Sequence, residues 1–271
     1  MTIASSQHGV RCARRFSLLL CLLAACNSAG AIGLQVTPTS LSLKPSENAT
    51  ALWLNNTGDG LVHAQVRVYR WTEDQNGDQL SPSGGLWTQN EHGDQLSPSS
   101  GLVVSPPMAQ VGSGDQQMIR VIRVGAPPSG AGAVEEAYRL AIDELPIDAP
   151  TGPGLHFVVH YSVPVFVEPL GTKNTSPQLQ WSLQQQEDQR VVLQVSNHGT
   201  GHAQLANLSF VDPAGQRTQV DPGLLGYVLP GATMRWVLKP PAKVFASGGT
   251  LEIMINGRKA TENLPLAGRS P

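Results

Sequence analysis

The chain has 271 residues, a formal net charge of −2, 28 glycines, 21 prolines and three cysteines. The weakly negative charge argues against binding to a nucleic-acid backbone, because such binding rests on many positive contacts to phosphate. Abundant glycine and proline with little helical periodicity predicts an all-β chain, long enough for two domains of ordinary size.

The first 31 residues are typical of an export signal. Three arginines precede an apolar run at 16–25, and the small residues of 29–31 follow it. Cleavage near Ala31 would export a mature chain without cysteine. Its net charge would fall from −2 to −5, since the removed segment holds three arginines and no acid. The alternative is lipoprotein processing at Cys26, and the mass of the mature N-terminus distinguishes the two.

Strand-like segments with turn signals between them fill the mature chain in two series. The first series comprises residues 34–43, 51–55, 63–71, 102–105, 118–124, 137–145 and 155–167, and the second comprises 179–184, 190–196, 203–211, 233–239 and 250–255. Two such series predict two β-sandwiches. The Pro-Gly-Thr-rich stretch 168–172 predicts the boundary, with domains at 32–169 and 170–271.

A tandem repeat interrupts the first series. Residues 71–86 and 87–102 are identical at eleven of sixteen positions. Two copies are too few for a solenoid, which needs at least about three repeats. The repeat is therefore interpreted as a duplication within an exposed hairpin, and the alternative is an extra hairpin that contacts a partner.

The segment 155–167 predicts one long strand with one apolar face. Every second residue is apolar, whereas the intervening residues include two histidines, a serine and a proline. Because side chains alternate across a strand, such a strand lies either deep in a sheet or at an edge that awaits a partner.

No motif in the sequence favours catalysis. His156 and His160 are four residues apart, as are His198 and His202, but four strand residues span about 13 Å, too far for a shared metal ion. The adjacent acids Asp143 and Glu144 would face opposite sides of a strand. Nucleophile elbows, phosphate-binding glycine loops and dinucleotide fingerprints are missing. We expect no enzyme activity, no cofactor and no metal.

An ordered set of short motifs carries a resemblance to a known family. The motifs occupy residues 38–43, 54–58, 66–71, 104–107, 117–121, 138–146, 155–167 and 223–231. Together they resemble the periplasmic chaperones of the chaperone–usher pilus pathway, and most of all their archaic, spore-coat/Csu-type branch.

This resemblance implies two immunoglobulin-like β-sandwiches set at an angle, with a cleft between them. It also implies a function: the last strand of the first domain completes the sandwich of a pilus subunit by donor-strand complementation. The implied partners are pilus or fimbrial subunits and an outer-membrane usher. The free chaperone would cover its apolar edge by self-association or with the loop at 148–154.

The resemblance places the donor side chains on Leu155, Phe157 and Val159, with Tyr161 as a fourth. The later apolar residues of the same strand, Val163, Val165 and Val167, are expected in the chaperone's own core.

In better-known relatives two basic residues bind the subunit's C-terminal carboxylate, but here the matching positions are Ser40 and Pro164. The substitute anchor is expected at Arg139 first, then Arg120, then His160. The alternative for each arginine is a solvated charge on a strand face.

Two other classes of protein compete with the chaperone interpretation. A structural pilus subunit or surface adhesin of sandwich design would have a single sandwich, often with a disulfide and a free N-terminal extension. A carbohydrate-binding or hydrolytic β-protein would show clustered exposed aromatics or paired carboxylates, and the sequence shows neither.

Overall fold

The computed structural model describes residues 33–74, 77–82, 101–146, 158–171, 175–186, 188–264 and 266–267. In this part of the chain there are eighteen β-strands and a single short 3₁₀ helix, Ala242–Val244. The prediction of an all-β protein is confirmed. Among these residues, no helix is long and apolar enough to span a membrane.

Ten strands build the N-terminal sandwich. They are β1 Leu34–Thr37, β2 Leu41–Leu43, β3 Ala49–Asn56, β4 Val62–Asp74, β5 Gly77–Pro82, β6 Leu102–Ser105, β7 Met108–Val111, β8 Gln116–Arg123, β9 Glu136–Glu144 and β10 His160–Val167. One sheet has the order β1-β3-β8-β6. The other has the order β2-β10-β9-β4-β5, and β7 also pairs with β4.

Eight strands build the C-terminal sandwich. They are β11 Leu179–Gln185, β12 Val191–Asn197, β13 Ala203–Val211, β14 Arg217–Val228, β15 Thr233–Leu238, β16 Gly249–Ile255, β17 Arg258–Leu264 and β18 Leu266–Ala267. The two sheets have the orders β15-β12-β11-β18 and β14-β13-β16-β17. The sequence prediction contains neither β14 nor β17.

Each sandwich is held together by the inward residues of its two sheets. In β12 the burial alternates strictly, with Val191, Leu193 and Val195 fully buried. In the N-terminal sandwich Leu52 and Leu54 of one sheet face a core shared with Leu140 of the other. This alternation is the expected pattern for strands with one face on a core and one toward solvent.

The segment 34–43, predicted as a single strand, is two strands in different sheets. β1 pairs with β3, whereas β2 pairs with β10. Pro38 lies between them and has no N–H to continue a ladder, so the chain crosses from one sheet to the other at this point.

The first copy of the tandem repeat forms the end of β4 and the strand β5, paired as a hairpin. A duplication within an exposed hairpin stays a prediction. Residues 83–100, which include most of the second copy, lie outside the described residues.

The two sandwiches share a polar turn with the same hydrogen bonds. Asn56 ends β3 and Asn197 ends β12; both are buried. The side-chain nitrogen of Asn56 donates to the carbonyls of Gly60 and Val111, and its oxygen accepts from the N–H of Gly58.

Asn197 repeats this set with Gly201, Val228 and Gly199, and its two glycine partners follow it at the same spacings, four and two residues on. Its oxygen also accepts from the N–H of Gln178. The sequence Asn-x-Gly-x-Gly therefore marks one equivalent turn in each domain.

Candidate functional site

The strand β10 has a neighbour along its whole length on one side only. It pairs with β9 from His160 opposite Asp143 to Val167 opposite Glu136. On its other side it pairs with β2 only over Val165–Val167. Within the described part of the chain, no strand covers the other edge of 160–164. This stretch is called the free edge below.

The backbone of the free edge has a defined orientation. The N–H of Glu144 donates to the carbonyl of Val159, and the N–H of Glu168 donates to the carbonyl of Leu43. Because hydrogen-bonding groups alternate sides along a strand, odd-numbered residues of β10 bond to β9 and even-numbered residues face outward. His160 and Ser162 therefore present both N–H and C=O to an incoming strand.

Pro164 fits this orientation. It faces outward as well, so its missing N–H costs the β9–β10 ladder nothing. Its buried ring closes the free edge at the point where β2 begins to pair.

The side chains of β10 divide the strand in two. Val163, Val165 and Val167 are buried in the N-terminal core, as expected from the sequence. His160 and Ser162 are exposed. The core-facing half and the open half thus meet near residue 162.

The four predicted donor residues are placed unequally by the structure. Leu155 and Phe157 lie outside the described residues, and Val159 is half-buried. Tyr161 packs against the core of the N-terminal sandwich, and its hydroxyl donates to the carbonyl of Leu34 at 2.6 Å. Tyr161 therefore bridges the two sheets at the open end of the sandwich.

A charged cluster lies beside the free edge. Asp143 Oδ1 lies 2.5 Å from Nδ1 of His160, and its Oδ2 lies 2.5 Å from a guanidinium nitrogen of Arg67. Partial burial opposes ionisation of Asp143, but the hydrogen bonds from His160 and Arg67 outweigh it and lower the pKa of Asp143. His160, the third predicted anchor, is thus already engaged by a carboxylate.

Arg139 lies on β9, directly opposite Pro164 of β10, and on the same face of the sheet as this charged cluster. Its guanidinium carbon is 3.6 Å from the ring centroid of Trp71 and 5.2 Å from that of Tyr227. Tyr227 belongs to the C-terminal sandwich, so Arg139 lies where the two sandwiches meet. Stacking on aromatic faces is a preferred environment for arginine.

Arg120 is not brought near the free edge. It lies on β8 in the opposite sheet, between Ala51 and Ser105, and its side chain points away from the core into solvent. The sandwich core separates it from β10. The structure therefore agrees with the solvated-charge alternative for this residue. Ser40, the other sequence-matched anchor position, is exposed and carries no charge.

Several contacts of the site were not predicted from the sequence. The contacts of Arg67 and of Tyr227 are with residues distant in the chain. The same is true of the stacking of Phe166 on His202. The sequence pattern indicates Asp143 only as one member of an adjacent acid pair, not as the partner of Arg67 and His160. In the residues that the structure describes, no group of three or more His, Cys, Asp or Glu is placed to hold a metal ion.

Three solved structures illustrate the similarity of this fold to known proteins. The first is the CsuC–CsuE chaperone–tip adhesion subunit pre-assembly complex from the archaic chaperone–usher Csu pili of Acinetobacter baumannii. It is 24% identical with a TM-score of 0.61, and the match covers 89% of this chain and 100% of that chain.

The second is the CupB2 chaperone of Pseudomonas aeruginosa, 19% identical with a TM-score of 0.51 over 84% of this chain and 98% of that chain. The third is the Salmonella enterica SafA pilin in complex with the SafB chaperone, 16% identical with a TM-score of 0.56 over 88% and 99%. These similarities confirm the predicted fold of two immunoglobulin-like sandwiches. A search of curated proteins gives no match to this chain.

A family model matches the N-terminal half of the chain. The model described as pili and flagellar-assembly chaperone, PapD N-terminal domain, matches residues 33–173, which is more than half of the chain. That range contains the whole N-terminal sandwich and its free edge. The protein belongs to the family of pili and flagellar-assembly chaperones.

Proposed function

We propose that this chaperone captures pilus subunits by adding the free edge of β10 to their incomplete sandwiches, and holds them in the periplasm for an outer-membrane usher. One observation carries the proposal: β10 is fully paired with β9 but pairs with β2 over only three residues. An edge with outward N–H and C=O groups is a template for β-augmentation.

The alternating side chains would supply the apolar part of the contact. Leu155, Phe157 and Val159 share the parity of the core-facing residues and precede Tyr161, which closes the chaperone's own sandwich. Each such side chain buried in a subunit groove contributes about 1.5–3 kcal/mol. Completing a missing core in this way drives capture without a nucleotide.

Architecture favours a chaperone over a structural pilus subunit. The chain has two sandwiches, and its open strand ends the first of them rather than forming an N-terminal extension. The structural similarity to chaperones that are bound to a tip subunit and to a pilin also supports a chaperone rather than a pilus subunit.

Arg139 is the best placed anchor for the C-terminal carboxylate of a subunit. It is the cross-strand partner of Pro164, the position where better-known relatives carry a cation. The aromatic rings of Trp71 and Tyr227 orient its guanidinium. A planar guanidinium suits bidentate binding of a carboxylate.

Replacement of Arg139 tests this assignment. We expect Arg139→Ala to weaken subunit binding about ten- to hundred-fold, the loss that removing a charge-assisted hydrogen bond produces. The measurement is the fraction of subunit that co-purifies with the chaperone from periplasm, with thermal unfolding of the free variant as a check on folding.

Arg120→Ala is the matched control, because it removes the same charge from the opposite, solvent-facing sheet. It should bind subunit like the parent. Equal binding by both variants would remove Arg139 as the anchor.

A further inference from the structure

The C-terminal sandwich contacts the end of β10 at Phe166, which packs near Tyr227 and stacks on His202. The ring of Phe166 is 3.5 Å from the imidazole of His202, centroid to centroid, with an angle of 4° between the planes. Phe166 is almost completely buried. His202 directly precedes β13, so this contact joins the strand that carries the free edge to the second domain.

The same histidine also holds the start of β9. Glu135, the residue before β9, accepts a hydrogen bond at Oε1 from the backbone N–H of His202, at 3.0 Å, and the same oxygen lies 2.7 Å from His202 Nδ1. The N–H of Glu135 donates to the carbonyl of Thr200. Glu135 is only 6% exposed, and a buried carboxylate is strongly disfavoured without such partners.

Through these contacts the side chain of His202 lies beside the C-terminal end of β10 and the N-terminal end of β9. Phe166 is on β10, four residues beyond Ser162, and Glu135 is beside the first residue of β9. On the free edge itself, β10 is supported only by β9 within the described residues. A strand supported on one side depends more on how its ends are held than a strand paired on both sides.

We propose that His202 is a positioning residue: the second domain holds the β9–β10 pair through it and thereby orders the free edge for subunit capture. A free edge that is already ordered before binding has a higher affinity for a subunit, because less conformational entropy is lost on association. The importance of this order for capture rests on the proposed function, whereas the order itself is a property of the free protein. Subunit binding by the first domain then depends on the second domain without any contact between His202 and the subunit.

Amide hydrogen exchange in the free protein tests the proposal. The N–H groups of Tyr161 and Val163 face β9, so their exchange reports on the β9–β10 pair. In His202→Ala we expect these two amides to exchange about ten-fold faster than in the parent. Amides of Leu52 and Ile119, in the opposite sheet, should keep the parent rate.

His198→Ala is the matched control, because His198 lies in the same loop but is exposed, and its ring lies within hydrogen-bonding distance of Gln180 rather than on β9 or β10. It should leave all four amides unchanged. If His202→Ala does not fold, Phe166→Leu removes the stack while keeping an apolar side chain, and the same local change is expected.

Parent-like exchange of Tyr161 and Val163 in the folded variant would overturn the proposal. Faster exchange spread evenly through the N-terminal sandwich would overturn it too, because that outcome indicates general loss of stability. A parent protein that fails to capture subunits would contradict the proposed function but would leave this exchange result standing.

Discussion

Ser162→Pro is expected to block subunit capture while leaving the free chaperone folded. The N–H of Ser162 faces the free edge, so proline at this position removes a donor that an added strand would use, and its ring obstructs the approach of that strand. The ladder to β9 loses nothing, as Pro164 already demonstrates two residues further on. We expect binding to weaken at least about 100-fold, since the subunit keeps an unpaired carbonyl in the interface.

The measurement is a binding titration of purified subunit against the variant, with circular dichroism to check the fold. Ser162→Ala is the control, because it removes the hydroxyl and keeps the N–H; parent-like affinity is expected. Equally tight binding by Ser162→Pro would show that subunits do not pair with this edge.

Asn197→Ala is expected to destabilise the C-terminal sandwich strongly. Its side chain makes four hydrogen bonds and is fully buried, so alanine leaves two backbone N–H groups and two carbonyls without these partners. Each hydrogen bond contributes about 0.5–1.5 kcal/mol, and unpaired buried groups add to the loss. We expect the free energy of unfolding to fall by about 3–5 kcal/mol.

Calorimetry should show this loss as a fall of at least about 10 °C in the melting temperature of one transition. The neighbouring His198→Ala, in an exposed position of the same turn, should melt like the parent. A shift of less than about 2 °C in Asn197→Ala would show that the shared turn does not hold the sandwich.

Much of the fold follows from local patterns in the sequence. The strict apolar alternation of β12 and of 163–167 needs only a two-residue period to be recognised. β14 was missed because Pro222, Gly223 and Gly226 look like turn residues, whereas the structure accommodates them as register shifts in an edge strand. β17 was missed because most of its residues are polar and none of them is fully buried.

The shared turn has a local signature in the sequence. Asn-x-Gly-x-Gly occurs at 56–60 and again at 197–201, although the motifs that carry the family resemblance include only the first occurrence, within 54–58. The two occurrences together indicate two domains of one design.

The candidate site too could be predicted from the sequence only in part. The division of β10 into an open and a core-facing half was predicted from the family resemblance, which places the donor side chains before Val163. The engagement of His160 by Asp143 and the aromatic environment of Arg139 could not be predicted, because they depend on strand register and on contact between the domains. Arg120 shares the strand pattern of Arg139, and only the sheet order separates the two.

Amide hydrogen exchange at His160 and Ser162 tests the central claim most directly. These two N–H groups face outward on the free edge, so they should exchange quickly in the free chaperone. If β10 adds to a subunit's sheet, both should become at least about 100-fold slower in the complex. Fast exchange at both amides in a stable chaperone–subunit complex would contradict donor-strand pairing along β10.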